Sequence, residues 1–276
     1  YLNRNTIPDE EEQTRVYSEL LQRMNNLPVT IRTFDLGGDK LSFYQQHKPE
    51  ENPYLGSRGI RFSLLENAMF KTQIRAILRA SVLGQVSIMF PMIISTEDFI
   101  AGKSIISECM KELDKDCIAY NKSIPVGAMI ETPSSALCSE HLAKVCGFFS
   151  LGTNDLVQYT LAVDRNNDKV SSYYIQHHPS VLMLIKKTLE SARKTGIPVS
   201  VCGEMASEPK YVPLLIGMGI NELSINPSKT AQVKAVIRNC DDSLCELLSN
   251  FDFNTDVSSI ETLINTTLKP YYTIYQ

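Results

Sequence analysis

Apolar runs of six to nine residues alternate along this chain with longer segments of helical period. The runs are VTIRTFDLG at 29–37, VSIMFPMI at 86–93, VGAMIET at 126–132, VCGFFSLGT at 145–153, VSVCGE at 199–204 and INELSIN at 220–226. A shorter candidate is YLGSR at 54–58. Most are near-continuous rather than alternating, the pattern of parallel strands buried on both faces. Between them, helical patterns cover 8–24, 66–80, 96–114, 133–144, 180–195, 208–217, 228–239 and 256–268. Pro8 and the acidic run after it suit a helix N-terminus. The repeating βα order predicts an α/β fold with a parallel sheet. At 276 residues the whole chain, 1–276, has the size of a single (β/α)₈ barrel domain. Counting the short candidate gives seven strands where such a barrel needs eight. The expectation is a TIM barrel lacking its first strand, which lies upstream of Tyr1.

Composition excludes several functions. With 27 Lys and Arg against 31 Asp and Glu the net charge is -4, so no basic excess exists to neutralise a nucleic-acid backbone. No apolar run of 18 residues is present, which predicts no membrane span. The seven cysteines, at 109, 117, 138, 146, 202, 240 and 245, form no C-x-x-C and no zinc spacing. They predict free thiols and a cytoplasmic location.

A barrel carries its active site at the C-terminal ends of its strands, so the residues there form one list. It contains Arg32 and Asp35, then Gly37 to Lys40; Arg58 and Arg61; Glu131; Asn154 and Asp155; and Cys202 and Glu204. Taken singly each has an ordinary reading: a rim ion pair, a helix cap, a buried thiol. The four histidines, 47, 141, 177 and 178, have no metal or triad spacing and read as structural. Taken jointly, arginines beside two carboxylates suit a small phosphorylated acid and Mg²⁺, which keeps waters and borrows phosphate oxygens.

The segments IRTFDLGGDK at 31–40, ENPYLGSRGIR at 51–61, IMFPMI at 88–93, GAMIETPSSA at 127–136, FFSLGTNDLVQYTLAVDRNND at 148–168 and VCGEMA at 201–206 stand in one order. In that order the chain resembles the C-terminal domain of enzyme I, the phosphoenolpyruvate-protein phosphotransferase of the bacterial sugar phosphotransferase system. The QYTLAVDRN stretch favours enzyme I over pyruvate phosphate dikinase and phosphoenolpyruvate synthase, which share the barrel. The resemblance implies that Arg32, Arg58 and Arg165 bind the phosphoryl group and that Glu131 and Asp155 hold Mg²⁺. It implies that Asn154 touches the phosphate and, with Asp155, the substrate carboxylate. Cys202 becomes the acid that protonates the enolate carbon. Asp35, Lys40 and Glu204 lie in matching motifs as support. The family's phosphorylatable histidine and its HPr-binding surface belong to an N-terminal half not found in this sequence, and its barrel is a homodimer. A binding or dimerisation module without chemistry of its own is the reading from another class.

Overall fold

The computed structural model describes residues 8–35 and 50–273. Lys40 and His47 lie outside them. The chain divides into two compact units, residues 1–129 with 145–147, and residues 130–144 with 148–276.

The first unit opens with α1, Glu10–Arg23. Asp9 caps it by accepting the Glu12 N–H at 2.8 Å, and three glutamates fill the first turn. Pro8 therefore precedes the cap rather than starting the helix. β1 (Val29–Arg32), α2 (Ile60–Leu65), α3 (Asn67–Ala80), β2 (Val86–Phe90), α4 (Thr96–Lys115) and β3 (Val126–Ile130) follow. β1, β2 and β3 pair in that order, all parallel, with Ile31 opposite Ile88 and Phe90 opposite Ala128. The core is aromatic. Phe90 stands edge-on to Phe70 and Phe99, with centroids at 5.9 and 5.6 Å. Gly102 of α4 makes this possible: a Cβ there would lie 2.6 Å from the Phe90 ring. Over the outer surface, Arg75 and Arg79 of α3 join Glu10 of α1 at 2.7 Å each, and Arg75 continues to Glu112 of α4 and to Asp116, its C-cap.

The segment 54–58 is not a strand. The Leu55 N–H bonds to the Asn52 carbonyl at 2.9 Å, and Glu50 Oε1 accepts the Ser57 N–H at 3.0 Å. Pro53, Gly56 and Gly59 bend the chain, and Gly59 adopts φ +58. Six strands, not seven, are present among the described residues.

The second unit contains α5 (Pro133–Leu137), α6 (Ser139–Leu142), β4 (Phe149–Gly152), α7 (Thr153–Leu161), α8 (Pro179–Thr195), β5 (Val199–Cys202), α9 (Glu204–Ser207), α10 (Val212–Gly217), β6 (Glu222–Leu223), α11 (Thr230–Asn239), α12 (Asp242–Ser249), α13 (Val257–Thr262) and α14 (Lys269–Tyr272). A π-helical turn, Leu263–Thr267, follows α13. β4, β5 and β6 pair in order and in parallel. The expected helix over 133–144 breaks at Cys138 into α5 and α6, and the one over 208–217 starts only at Val212. No described helix is long and apolar enough to cross a membrane.

Candidate functional site

In the first unit two arginines, Arg32 at the end of β1 and Arg58 in the loop before α2, meet one carboxylate. Arg58 is 7% exposed, and its guanidinium forks onto Asp35, Nε to Oδ1 at 3.3 Å and Nη2 to Oδ2 at 2.7 Å. Arg32 reaches the same Oδ2 at 3.9 Å, with its side chain 47% exposed. Tyr54 lies under Arg58, its ring centroid 5.8 Å from the guanidinium carbon. The strand end is itself anchored. Gln73 accepts the Phe34 N–H at 3.0 Å and donates to Tyr17, which donates to Gln13. Arg61 does not join the group. It staples its own loop by donating to the carbonyls of Leu55 and Gly56.

The second unit holds the other candidates. Glu131 follows β3 and is 1% exposed. Beyond it, Thr132 and Ser135 form a capping box that starts α5. Asp155, 6% exposed, lies in the first turn of α7 and pairs with Arg165 at 3.7 Å. Arg165 is set by Gln158. The Gln158 carbonyl takes the Val163 N–H at 3.0 Å and its side chain takes the Arg165 N–H at 3.1 Å. Ala162, at φ +53, turns the chain between them.

β4 and β5 place Gly152 opposite Cys202. Alternation puts Ser150 on the same sheet face as Gly152, and its hydroxyl donates to the Cys202 sulfur at 3.4 Å. The thiol itself is 3.4 Å from the Leu151 carbonyl. The Cys202 carbonyl accepts from Thr153 Oγ1 at 3.0 Å. Gly203 then takes φ +103 and ψ -179, which opens the Glu204 N–H toward Asn154 Oδ1 at 2.9 Å. Tyr174, twenty residues beyond Asn154, donates its phenol to the Asn154 carbonyl at 3.0 Å. Burial, then the charges of Glu204 and Asp155, push the phenol up to about 12 against the opposing pull of Arg165. A polar cavity of about 410 Å³ opens here, lined by Asn154, Gly203, Glu204, Ser207, Asn226 and Lys229 among others.

Asn154, Asp155, Arg165 and Cys202 thus gather at the carboxyl ends of neighbouring parallel strands. Sequence reasoning missed Ser150, Thr153, Gln158 and Tyr174. The first three lie inside the matched motif, and strand parity alone points Ser150 to the cysteine's face. Nothing local marks Tyr174. His177 contacts Tyr211 through Nδ1 at 2.9 Å and Glu261 through Nε2 at 3.6 Å. Among the described residues no three His, Cys, Asp or Glu side chains converge as a ready-made metal cage. Glu131 and Asp155 are buried carboxylates, hard oxygen donors of the kind a divalent ion prefers.

Comparison with known proteins identifies the family of the chain. The family model described as "PEP-utilising enzyme, PEP-binding domain" matches residues 1–242. The chain is 42% identical over 266 residues to the phosphoenolpyruvate-protein phosphotransferase of Streptococcus equinus, covering 96% of this chain and 46% of that protein. It is 41% identical over 264 residues to the protein of the same name from Priestia megaterium, with 96% and 46% covered. The chain therefore spans under half the length of these relatives. A solved citrate lyase from Burkholderia xenovorans shares the fold, with a TM-score of 0.51 at 15% identity over 97% of this chain and 81% of that one.

Proposed function

The chain belongs to the PEP-utilising enzymes as their PEP-binding domain, and we propose that it is the phosphoenolpyruvate- and Mg²⁺-binding domain of a cytoplasmic phosphoenolpyruvate-protein phosphotransferase. The observation that carries this reading is the knot at the ends of β4 and β5. There Ser150 donates to the Cys202 thiol, Thr153 to the Cys202 carbonyl and the Glu204 N–H after Gly203 to the Asn154 amide oxygen, while the Arg165 guanidinium pairs with the Asp155 carboxylate and Gln158 accepts the Arg165 main-chain N–H. The parallel strand triplets and the likeness to citrate lyase support completion of the fold as a (β/α)₈ barrel.

In this reading Arg32, Arg58 and Arg165 take the phosphoryl oxygens, since a planar guanidinium matches phosphate with two parallel donors. Asp35 keeps Arg58 and Arg32 extended before substrate arrives. Asn154 donates to the substrate's anionic oxygens. Glu131 and Asp155 are the fitting pair for Mg²⁺, because they are carboxylates already withdrawn from water and the ion prefers oxygen ligands. Bound there, Mg²⁺ supplies Lewis-acid stabilisation of the enolate oxygen.

The phosphoryl group leaves for a histidine on the N-terminal half of the full-length enzyme, then for HPr, in the service of sugar uptake. Pyruvate enolate remains. The Cys202 S–H bond breaks, its proton forms a C–H bond at the methylene carbon, and the electron pair stays on sulfur. The Ser150 hydroxyl, already donating to that sulfur, stabilises the thiolate so formed. The working enzyme is a homodimer through this domain.

The direct test is the ³¹P resonance of phosphoenolpyruvate titrated with the chain and Mg²⁺. Saturable broadening that weakens in the Asn154→Ala variant supports the reading. An unperturbed line at millimolar ligand overturns it.

A further inference from the structure

Asn154 is held from two sides. Its side-chain oxygen accepts the Glu204 N–H at 2.9 Å, and its main-chain oxygen accepts the Tyr174 phenol at 3.0 Å. A backbone N–H can only donate, so the first bond fixes which end of the amide is oxygen. The NH₂ end is then the donor left for a ligand, on a side chain that lines the 410 Å³ cavity. The Glu204 N–H is available only because Gly203 adopts a backbone that side chains disfavour. The second bond comes from a segment that sequence periodicity leaves blank, between Asp168 and the start of α8 at Pro179.

The phenol is suited to that task. It is half-buried among Arg165, Asp155 and Glu204, and it stays protonated through the physiological range. An anionic tyrosinate cannot donate, and a mobile side chain cannot hold a fixed line.

We propose that Tyr174 is a positioning residue for the substrate site: its hydroxyl pins the Asn154 backbone so that the Asn154 amide presents its NH₂ to an anionic oxygen. The substrate half of this statement rests on the function proposed above. The positional half does not.

Tyr174→Phe removes only the hydroxyl. In the ligand-free chain, hydrogen exchange of the Glu204 amide is expected to accelerate at least about tenfold, while the Leu151 amide in β4 keeps its protection. Phosphoenolpyruvate affinity is expected to fall about 5- to 30-fold. In an Asn154→Ala background the same substitution is expected to change affinity by less than twofold, because the group it positions is gone. Incorporating 4-aminophenylalanine at 174, which retains ring and donor, restores affinity to within about threefold and covers the case of a poorly folded Phe variant. Unchanged Glu204 exchange overturns the proposal. So does an equal loss of affinity in both backgrounds, the signature of a merely structural tyrosine. If the wild-type chain binds no phosphoenolpyruvate, the proposed function fails, and Glu204 exchange still decides whether Tyr174 holds Asn154.

Discussion

Replacing Gly203 with alanine perturbs the site at its tightest backbone point. Gly203 sits at φ +103 and ψ -179, a region essentially reserved for glycine, where another residue costs about 1–3 kcal/mol. The added Cβ would lie 2.4 Å from Thr153 Oγ1 and 2.9 Å from Asn154 Oδ1. Neither atom is the free end of a long chain: Thr153 is bonded to the Cys202 carbonyl and Asn154 to the Glu204 N–H. Overpacking of this kind adds about 1–3 kcal/mol, so the total is about 2–6 kcal/mol. For a domain of this size that lowers Tm by roughly 5–20 °C. Gly196, the cap of α8, is the control. It has φ +73 but nothing within 4 Å of the place a methyl would occupy, so Gly196→Ala carries only the left-handed backbone cost of about 1–2 kcal/mol. Scanning calorimetry of both variants, with phosphoenolpyruvate titrations on each, separates strain from crowding. Gly203→Ala should melt below Gly196→Ala and bind weakly, while Gly196→Ala binds normally. Equal melting temperatures with intact binding in both would refute the crowding argument.

Other outcomes follow from the same geometry. Arg58→Ala strips the fork from Asp35 and should weaken phosphoenolpyruvate binding by about 2–4 kcal/mol, the range for truncating one partner of a buried charged pair; affinity within twofold of wild type by calorimetry places Arg58 outside the site. Burial pushes the thiols of Cys109 and Cys146 up to about 12, so alkylation followed by peptide mass spectrometry should label exposed Cys117, Cys138 and Cys245 first and spare the buried pair until unfolding. Burial also holds His177 below its ordinary value of 6.5, against the pull of Glu261 and with Lys210 and His178 acting in the same direction as burial. The unfolded chain therefore takes up this proton first, and stability should fall as pH drops below about 6.5, less steeply in His177→Gln; identical pH–Tm curves for the two proteins would contradict this.

Much of this was legible in the residues because burial on both faces writes continuous apolar runs. The strands at 86, 126 and 149 are buried almost throughout and announced themselves that way, whereas those at 29 and 199 are only partly buried. The segment at 54–58 misled because Tyr54 and Leu55 mimic a strand, while the geometry is decided by Pro53, Gly56 and Gly59 around them. α7 was hidden because it begins at Thr153, immediately after β4 ends, inside a run that reads as strand. α12 is an eight-residue helix capped by Asp241, and its short amphipathic pattern disappears beside longer neighbours. Within the site, Cys202 and Asn154 stand at strand ends, where topology puts chemistry. Tyr174 reaches Asn154 only through the tertiary path of the chain, so no local pattern encodes it.

In the function proposed above, phosphoenolpyruvate and Mg²⁺ bind together, the ion held by Glu131 and Asp155. Isothermal calorimetry of this chain with phosphoenolpyruvate, with and without Mg²⁺, on wild type and Glu131→Gln, addresses it most directly. The account predicts one ligand per chain, affinity raised at least about tenfold by Mg²⁺, and loss of that enhancement in the variant. Binding that ignores Mg²⁺, an enhancement that survives Glu131→Gln, or no heat at all would contradict it.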